Sequence, residues 1–161
     1  SISKSVLDVT NRKLSWYFLR SLRDTENAKP WIRELTDERF IVSIPATTED
    51  VCWCTIENPD TSDEFVKERA DVLITEDGKS GQIIRVLNTN GYPILITHWQ
   101  ALFSNGLKTG LRILNEVGRR IEKNLSDKVE WMSFEEIMNM VYENKDSYPI
   151  PVFDENDIYN K

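Results

Sequence analysis

The sequence is poor in the residue types that most often carry catalysis or covalent cross-links. It has one histidine, His98, and two cysteines, Cys52 and Cys54. One imidazole and two thiols fall short of a closed four-ligand zinc set, so this chain alone is not expected to build a metal centre. The two cysteines flank Trp53. On a strand, residues i and i+2 share a face about 6–7 Å apart, so a disulfide between them would be strained. They are read as buried free thiols, and they leave the compartment open. No apolar run approaches the ~18–20 residues that span a bilayer, and no secretory signal pattern is visible, so no membrane partner is expected. Positive charge is also short: 20 Lys and Arg stand against 27 Asp and Glu, for a net charge of −7. The cations are scattered, and the nearest cluster, Arg119-Arg120, reads as a solvated helix face. Nucleic acid is therefore not an expected partner. Glycine and proline number six each, and neither a repeat nor a low-complexity segment appears.

What is present is bulk for a core. Hydrophobic residues make up 40% of the 161, including five Trp, five Tyr and six Phe. That length suits one domain. Helical spacing of Leu14, Phe18 and Leu22 predicts a helix over 11–25, and Trp31 to Leu35 adds a helical turn. Two β-branched or aromatic runs, Arg39 to Ile44 and Val51 to Ile56, predict strands. Thr61 and Glu64 have capping-box spacing at the start of a helix through Leu73, so Asp60 and Asp63 read as helix-cap residues. A second short helix from Ser80 stops at Asn90-Gly91.

The stretch Pro93 to Ile96 is continuously apolar and predicts a strand buried on both faces, of the kind found in parallel sheets. His98 follows it directly. The carboxyl ends of parallel strands are where ligands and catalytic groups gather, so His98 is the candidate acid or base. Trp99 beside it is a sugar-stacking platform or core. The longest helix is expected from Ser104-Asn105-Gly106 to Leu125, with an apolar stripe of Leu107, Leu111, Leu114, Val117 and Ile121. Gly110 and Gly118 within it point to close packing against a neighbour. A short strand, Val129 to Met132, precedes a last helix opened by a capping box at Ser133 and Glu136. Alternation of strands and helices from residue 51 implies an α/β fold with mostly parallel strands, right-handed crossovers and flanking helices. Residues 1–144 are read as a single α/β domain and 145–161 as an irregular C-terminal tail.

The run Ile94-Leu95-Ile96-Thr97-His98 resembles the histidine motif of the polysaccharide deacetylases, the NodB-like carbohydrate esterases. Val51-Cys52-Trp53-Cys54-Thr55-Ile56 with Asp60 stands where that family has an upstream strand carrying Trp and Asp. Residues 126–136 are similar to its closing helix, strand and helix. The resemblance covers roughly residues 50–143. It implies a partial (β/α) barrel, carbohydrate as the partner, and His98 as the general acid that protonates the leaving sugar hydroxyl as acetate departs. It also implies that Trp53 packs behind His98 or lines the acetyl pocket, so Trp53 and Trp99 are the implied substrate-binding residues. The family's divalent metal, zinc, is held by an Asp and two His that this sequence does not contain. His98 is followed by Trp99 rather than Asp, and no Arg-Pro-Pro motif appears. With Ser1 rather than Met at its start, the chain is expected to be the C-terminal part of a deacetylase-like hydrolase, inactive without its metal-binding half. A barrel cut in this way would expose faces through which copies associate. The alternative is a non-catalytic α/β module that binds carbohydrate or protein through exposed aromatics such as Trp99 and Phe103.

Overall fold

The structure is a computed structural model that describes residues 29–35 and 39–149. The helix expected over 11–25 and the tail beyond 149 lie outside the described residues. The chain divides into two compact units, Ala46–Trp131 and the pair of segments Ser1–Pro45 and Met132–Lys161.

In the second of these, β1 (Trp31–Glu34) and β2 (Phe40–Ser43) form an antiparallel hairpin with Trp31 opposite Ser43 and Glu34 opposite Phe40. The strand expected at 39–44 is thus present, whereas Trp31 to Leu35 forms its partner strand and not a helical turn. The helix that closes this unit, Phe134–Glu143, begins at the expected capping box: the Ser133 hydroxyl accepts from the Glu136 N–H, and the Glu136 carboxylate accepts from the Ser133 N–H. It buries Ile137 and Val141, four residues apart on one face, and stacks Tyr142 on Phe40 at 4.4 Å.

The other unit is helical. Its elements are α1 (Asp63–Leu73), α2 (Gln82–Asn88), α3 (Trp99–Phe103) and α4 (Thr109–Leu125), with a 3-10 turn at Trp53–Ile56; the Phe134–Glu143 helix is α5. Ser62 caps α1, its hydroxyl accepting from the Phe65 N–H, one residue on from the expected Thr61. Val66, Ala70 and Leu73 of α1 meet Ile113, Val117, Ile121 and Leu125 of α4, joined by Val51, Cys52, Ile83 and Ala101 in one core. The buried face of α4 keeps part of the expected stripe, Val117 and Ile121 with Leu114 packed beside them. Leu107 and Leu111 are exposed, and the face turns instead on Gly110, whose missing side chain lets α4 approach the Ala101 carbonyl of α3. Gly118 faces open space. Arg120 is fully buried beneath the turn after α1, bonded to Asp71, Glu116 and the Ile74 carbonyl, so the Arg119-Arg120 pair is only half a solvated face.

These elements overturn the expected partial (β/α) barrel. The described residues are rich in helix, and their only sheet is the two-stranded antiparallel hairpin, with neither parallel strands nor a closed sheet. Three expected strands fail, each because its N–H groups are bonded elsewhere. Val51 to Ile56 coils because Asp50 accepts from the Cys52 N–H while the Thr55 and Asn58 N–H groups bond back to Cys52 and Cys54. Pro93 has no N–H, and the Ile94 N–H goes to the Thr47 hydroxyl at 2.7 Å, leaving no ladder and Ile96 exposed. The Val129 N–H bonds to the Leu125 carbonyl and closes the end of α4.

Candidate functional site

Three side chains come together at the start of α3. The organising residue is Asp50, at the end of a loop pinned by Thr47 and Thr48. The Thr47 hydroxyl donates to the Tyr92 carbonyl at 2.7 Å, and the Thr48 hydroxyl to the Ile94 carbonyl at 3.2 Å. These bonds hold residues 47–50 beside the extended segment that leads to His98.

Both carboxylate oxygens of Asp50 are used. Oδ1 accepts from the Cys52 N–H at 3.0 Å, which starts the 3-10 turn. Oδ2 accepts from the His98 backbone N–H at 3.1 Å and lies 2.8 Å from His98 Nδ1. An ionised carboxylate has no proton to donate, so Nδ1 carries the hydrogen in this pair. The second ring nitrogen, Nε2, is then the one left to take or give a proton. The Asp50 side chain is 11% exposed and that of His98 is 54% exposed, so the anchor is sheltered and the working ring is open.

His98 is also the N-cap of α3, its carbonyl accepting from the Ala101 and Leu102 N–H groups. The imidazole is thereby fixed at backbone and ring together. Trp53, the first residue of the 3-10 turn, places its ring 4.8 Å from the imidazole at an interplanar angle of 68°. That edge-to-face contact packs an indole against the imidazole that Asp50 holds. Trp53 is 54% exposed, and Trp99, the residue after His98, is 69% exposed.

A buried hydroxyl network ties the two aromatic-bearing elements together. Thr55 Oγ1 lies 2.8 Å from both the Cys52 and Ala101 carbonyls. Ser104 Oγ lies 2.6 Å from Thr55 Oγ1 and accepts from the Gly110 N–H at 3.0 Å. The turn bearing Trp53, the helix bearing Trp99 and the start of α4 are thus clamped at one point.

Cys52 lends the site no nucleophile. Cys52 is buried, and that burial, with the nearby Asp50 charge, pushes its thiol up to about 11. Its Sγ donates to the Gly110 carbonyl at 3.6 Å. Cys54 is likewise a free thiol, its Sγ turned to the Val51 carbonyl at 3.6 Å. Nor do the described residues offer a metal site: among them, no group of three His, Cys, Asp or Glu side chains converges. The donor set that zinc would need is therefore not supplied by these residues.

Sequence reasoning placed His98, Trp53 and Trp99 in a site, and the fold sets Trp53 against His98. It missed Asp50. That residue sits 48 positions from its partner, in a loop whose only local signature is the Asx turn to Cys52. Asp60 and Asp63 stay out of the site: Asp60 accepts from the Ser62 N–H, and Asp63 pairs with Arg112. Compared with the models of known protein families, with curated proteins and with solved structures, the chain has no match.

Proposed function

We propose that this chain carries the acid/base and aromatic part of a carbohydrate-active site of the deacetylase kind. The observation that carries the reading is the Asp50–His98 pair: a sheltered carboxylate holding Nδ1 at 2.8 Å, with the rest of the ring open to solvent. In this reading His98, protonated at Nε2, gives that proton to the sugar oxygen or nitrogen as its bond to the acetyl carbon breaks, and so prevents expulsion of a bare alkoxide or amide anion. General acids of this sort contribute ~10²- to 10⁴-fold to rate. Trp53 and Trp99 offer indole faces to the C–H faces of a pyranose ring, an apolar surface whose edge N–H can also donate a hydrogen bond. Asp50 acts through His98, fixing its tautomer and stabilising the imidazolium.

Hydrolysis also needs a group that polarises the acetyl carbonyl and supplies hydroxide. In the family that the sequence resembles a metal does this, and the described residues do not hold its ligands. That donor shortage favours a second reading, in which the same surface binds acetylated sugar without turning it over.

Titration of the chain with an acetylated amino-sugar oligosaccharide, followed by tryptophan emission and by acetate release, separates the two. Saturable binding lost in Trp53→Ala is expected. Acetate release that disappears in His98→Ala supports the hydrolase, and binding without release supports the binding module. Unchanged emission at millimolar sugar overturns both.

A further inference from the structure

Away from His98, α1 and α4 enclose a groove of about 510 Å³. Val66 and Leu111 give it an apolar lining, and Lys67, Lys108, Arg112 and Asn115 add polar groups. Its two carboxylates are already engaged. Asp63 pairs with Arg112 at 2.5 Å, and Glu116 pairs with Arg119 at 2.7 Å and Arg120 at 2.8 Å. The ammonium groups of Lys67 and Lys108 have no ionic partner among the described residues. In a chain with seven more acidic than basic groups, two uncompensated cations facing one groove form a local reversal of sign.

Lys108 is also in the wrong place for stability. It holds φ +59, a left-handed conformation that favours glycine. It stands as the N-cap of α4 with no side-chain cap, and no acidic residue lies in the first turn. A cation there opposes the helix dipole. Locally unfavourable choices of this kind cluster where a side chain serves binding.

We propose that this groove binds a small organic anion, its phosphate or carboxylate head held by Lys67 and Lys108 and its body lying on Val66 and Leu111. The groove and the two unpaired cations select the charge, and the apolar lining selects an organic ligand over a bare ion.

The test is an amide chemical-shift titration of the full chain with phenyl phosphate, benzoate and neutral benzyl alcohol. Saturable shifts at residues 66–67 and 108–112 are expected with one or both anions and not with the alcohol; which anion binds identifies the head group. Lys108→Gly should raise Tm, because glycine is at ease at that φ, while weakening the anion at least tenfold. Lys67→Gln, an exposed change on α1, should weaken it likewise and keeps the test decisive if Lys108→Gly fails to fold. No saturable shift, equal shifts with benzyl alcohol, or wild-type affinity in Lys67→Gln overturns the proposal. None of these readouts involves sugar, so the result stands apart from the outcome at His98.

Discussion

Two glycines in one helix should respond in opposite directions to the same substitution. Gly110 and Gly118 both lie in α4, two turns apart. A Cβ built on Gly118 meets nothing within 4 Å. Gly118→Ala therefore recovers helix propensity without a clash and should stabilise by about 0.8–1 kcal/mol. A Cβ on Gly110 would fall inside contact distance of the Ala101 carbonyl oxygen, 2.8 Å from Leu102 Cα and 2.9 Å from Ala101 C. Those are backbone atoms and cannot rotate away, so α3 or α4 must shift. Overpacking of a tight contact costs roughly 1–3 kcal/mol. The same shift disturbs the Gly110 N–H bond to Ser104 Oγ and the Cys52 thiol bond to the Gly110 carbonyl. Net of the propensity gain, Gly110→Ala should destabilise by up to about 2 kcal/mol. Urea unfolding read by helix circular dichroism measures both, with the midpoints moving apart at constant m. Midpoints that rise together in the two variants would refute the close approach of α3 to α4, and with it the clamp behind Trp53 and Trp99.

Other outcomes follow from single contacts. Arg120→Met should cost about 3 kcal/mol in the same urea assay, toward the low end for a broken buried pair because Asp71, at 51% exposure, keeps much of its water. Glu76 is held at about 2, chiefly by hydrogen bonds from Lys123 and Arg119, and Glu116 is lowered chiefly by Arg119. A carboxylate whose folded pKa is depressed stabilises the fold above its unfolded value, and that contribution is lost as pH falls through the folded value. Tm should therefore drop between about pH 4.5 and 2, and less steeply in Glu76→Gln; a flat profile in the parent would contradict the network. Ser133→Ala removes the cap of α5 and should cost about 1 kcal/mol, with faster amide exchange at residues 134–137.

The legible parts of the fold were those encoded within a few residues. The Ser133–Glu136 box, the end of α4 at Leu125 and the strand at Phe40–Ser43 each carry their own local signal. The misread parts were decided by hydrogen bonds that composition does not show, some local and some from far along the chain. Val51 to Ile56 has the β-branched and aromatic content of a strand, yet the adjacent Asp50 carboxylate takes the Cys52 N–H and the Thr55 and Asn58 N–H groups bond back into a turn. Pro93 to Ile96 has the composition of a buried strand, but Thr47 takes its hydrogen bonds and Ile96 faces water. The face of α4 was legible in part: Val117 and Ile121 are buried and Gly110 makes the expected close approach, whereas Leu107 and Leu111 are exposed and Gly118 faces open space. His98 and Trp53 were visible as residue types that do chemistry. Asp50 was not, because a loop aspartate acquires meaning only from the imidazole that folding brings to it. The barrel failed for a related reason, since apolar runs alone do not distinguish a strand from a buried turn.

The central claim is that Asp50 holds His98 by Nδ1 beside Trp53 and leaves Nε2 to meet sugar. Because His98 is the only histidine, its imidazole nitrogens give a single pair of NMR signals. Long-range ¹H–¹⁵N spectra above the imidazole titration should show a protonated Nδ1 and a bare Nε2, a preference relaxed in Asp50→Ala. Addition of millimolar acetylated oligosaccharide should move Nε2 together with the indole N–H signals of Trp53 and Trp99. A ring protonated at Nε2 under the same conditions, or imidazole and indole signals that ignore the sugar, would contradict it.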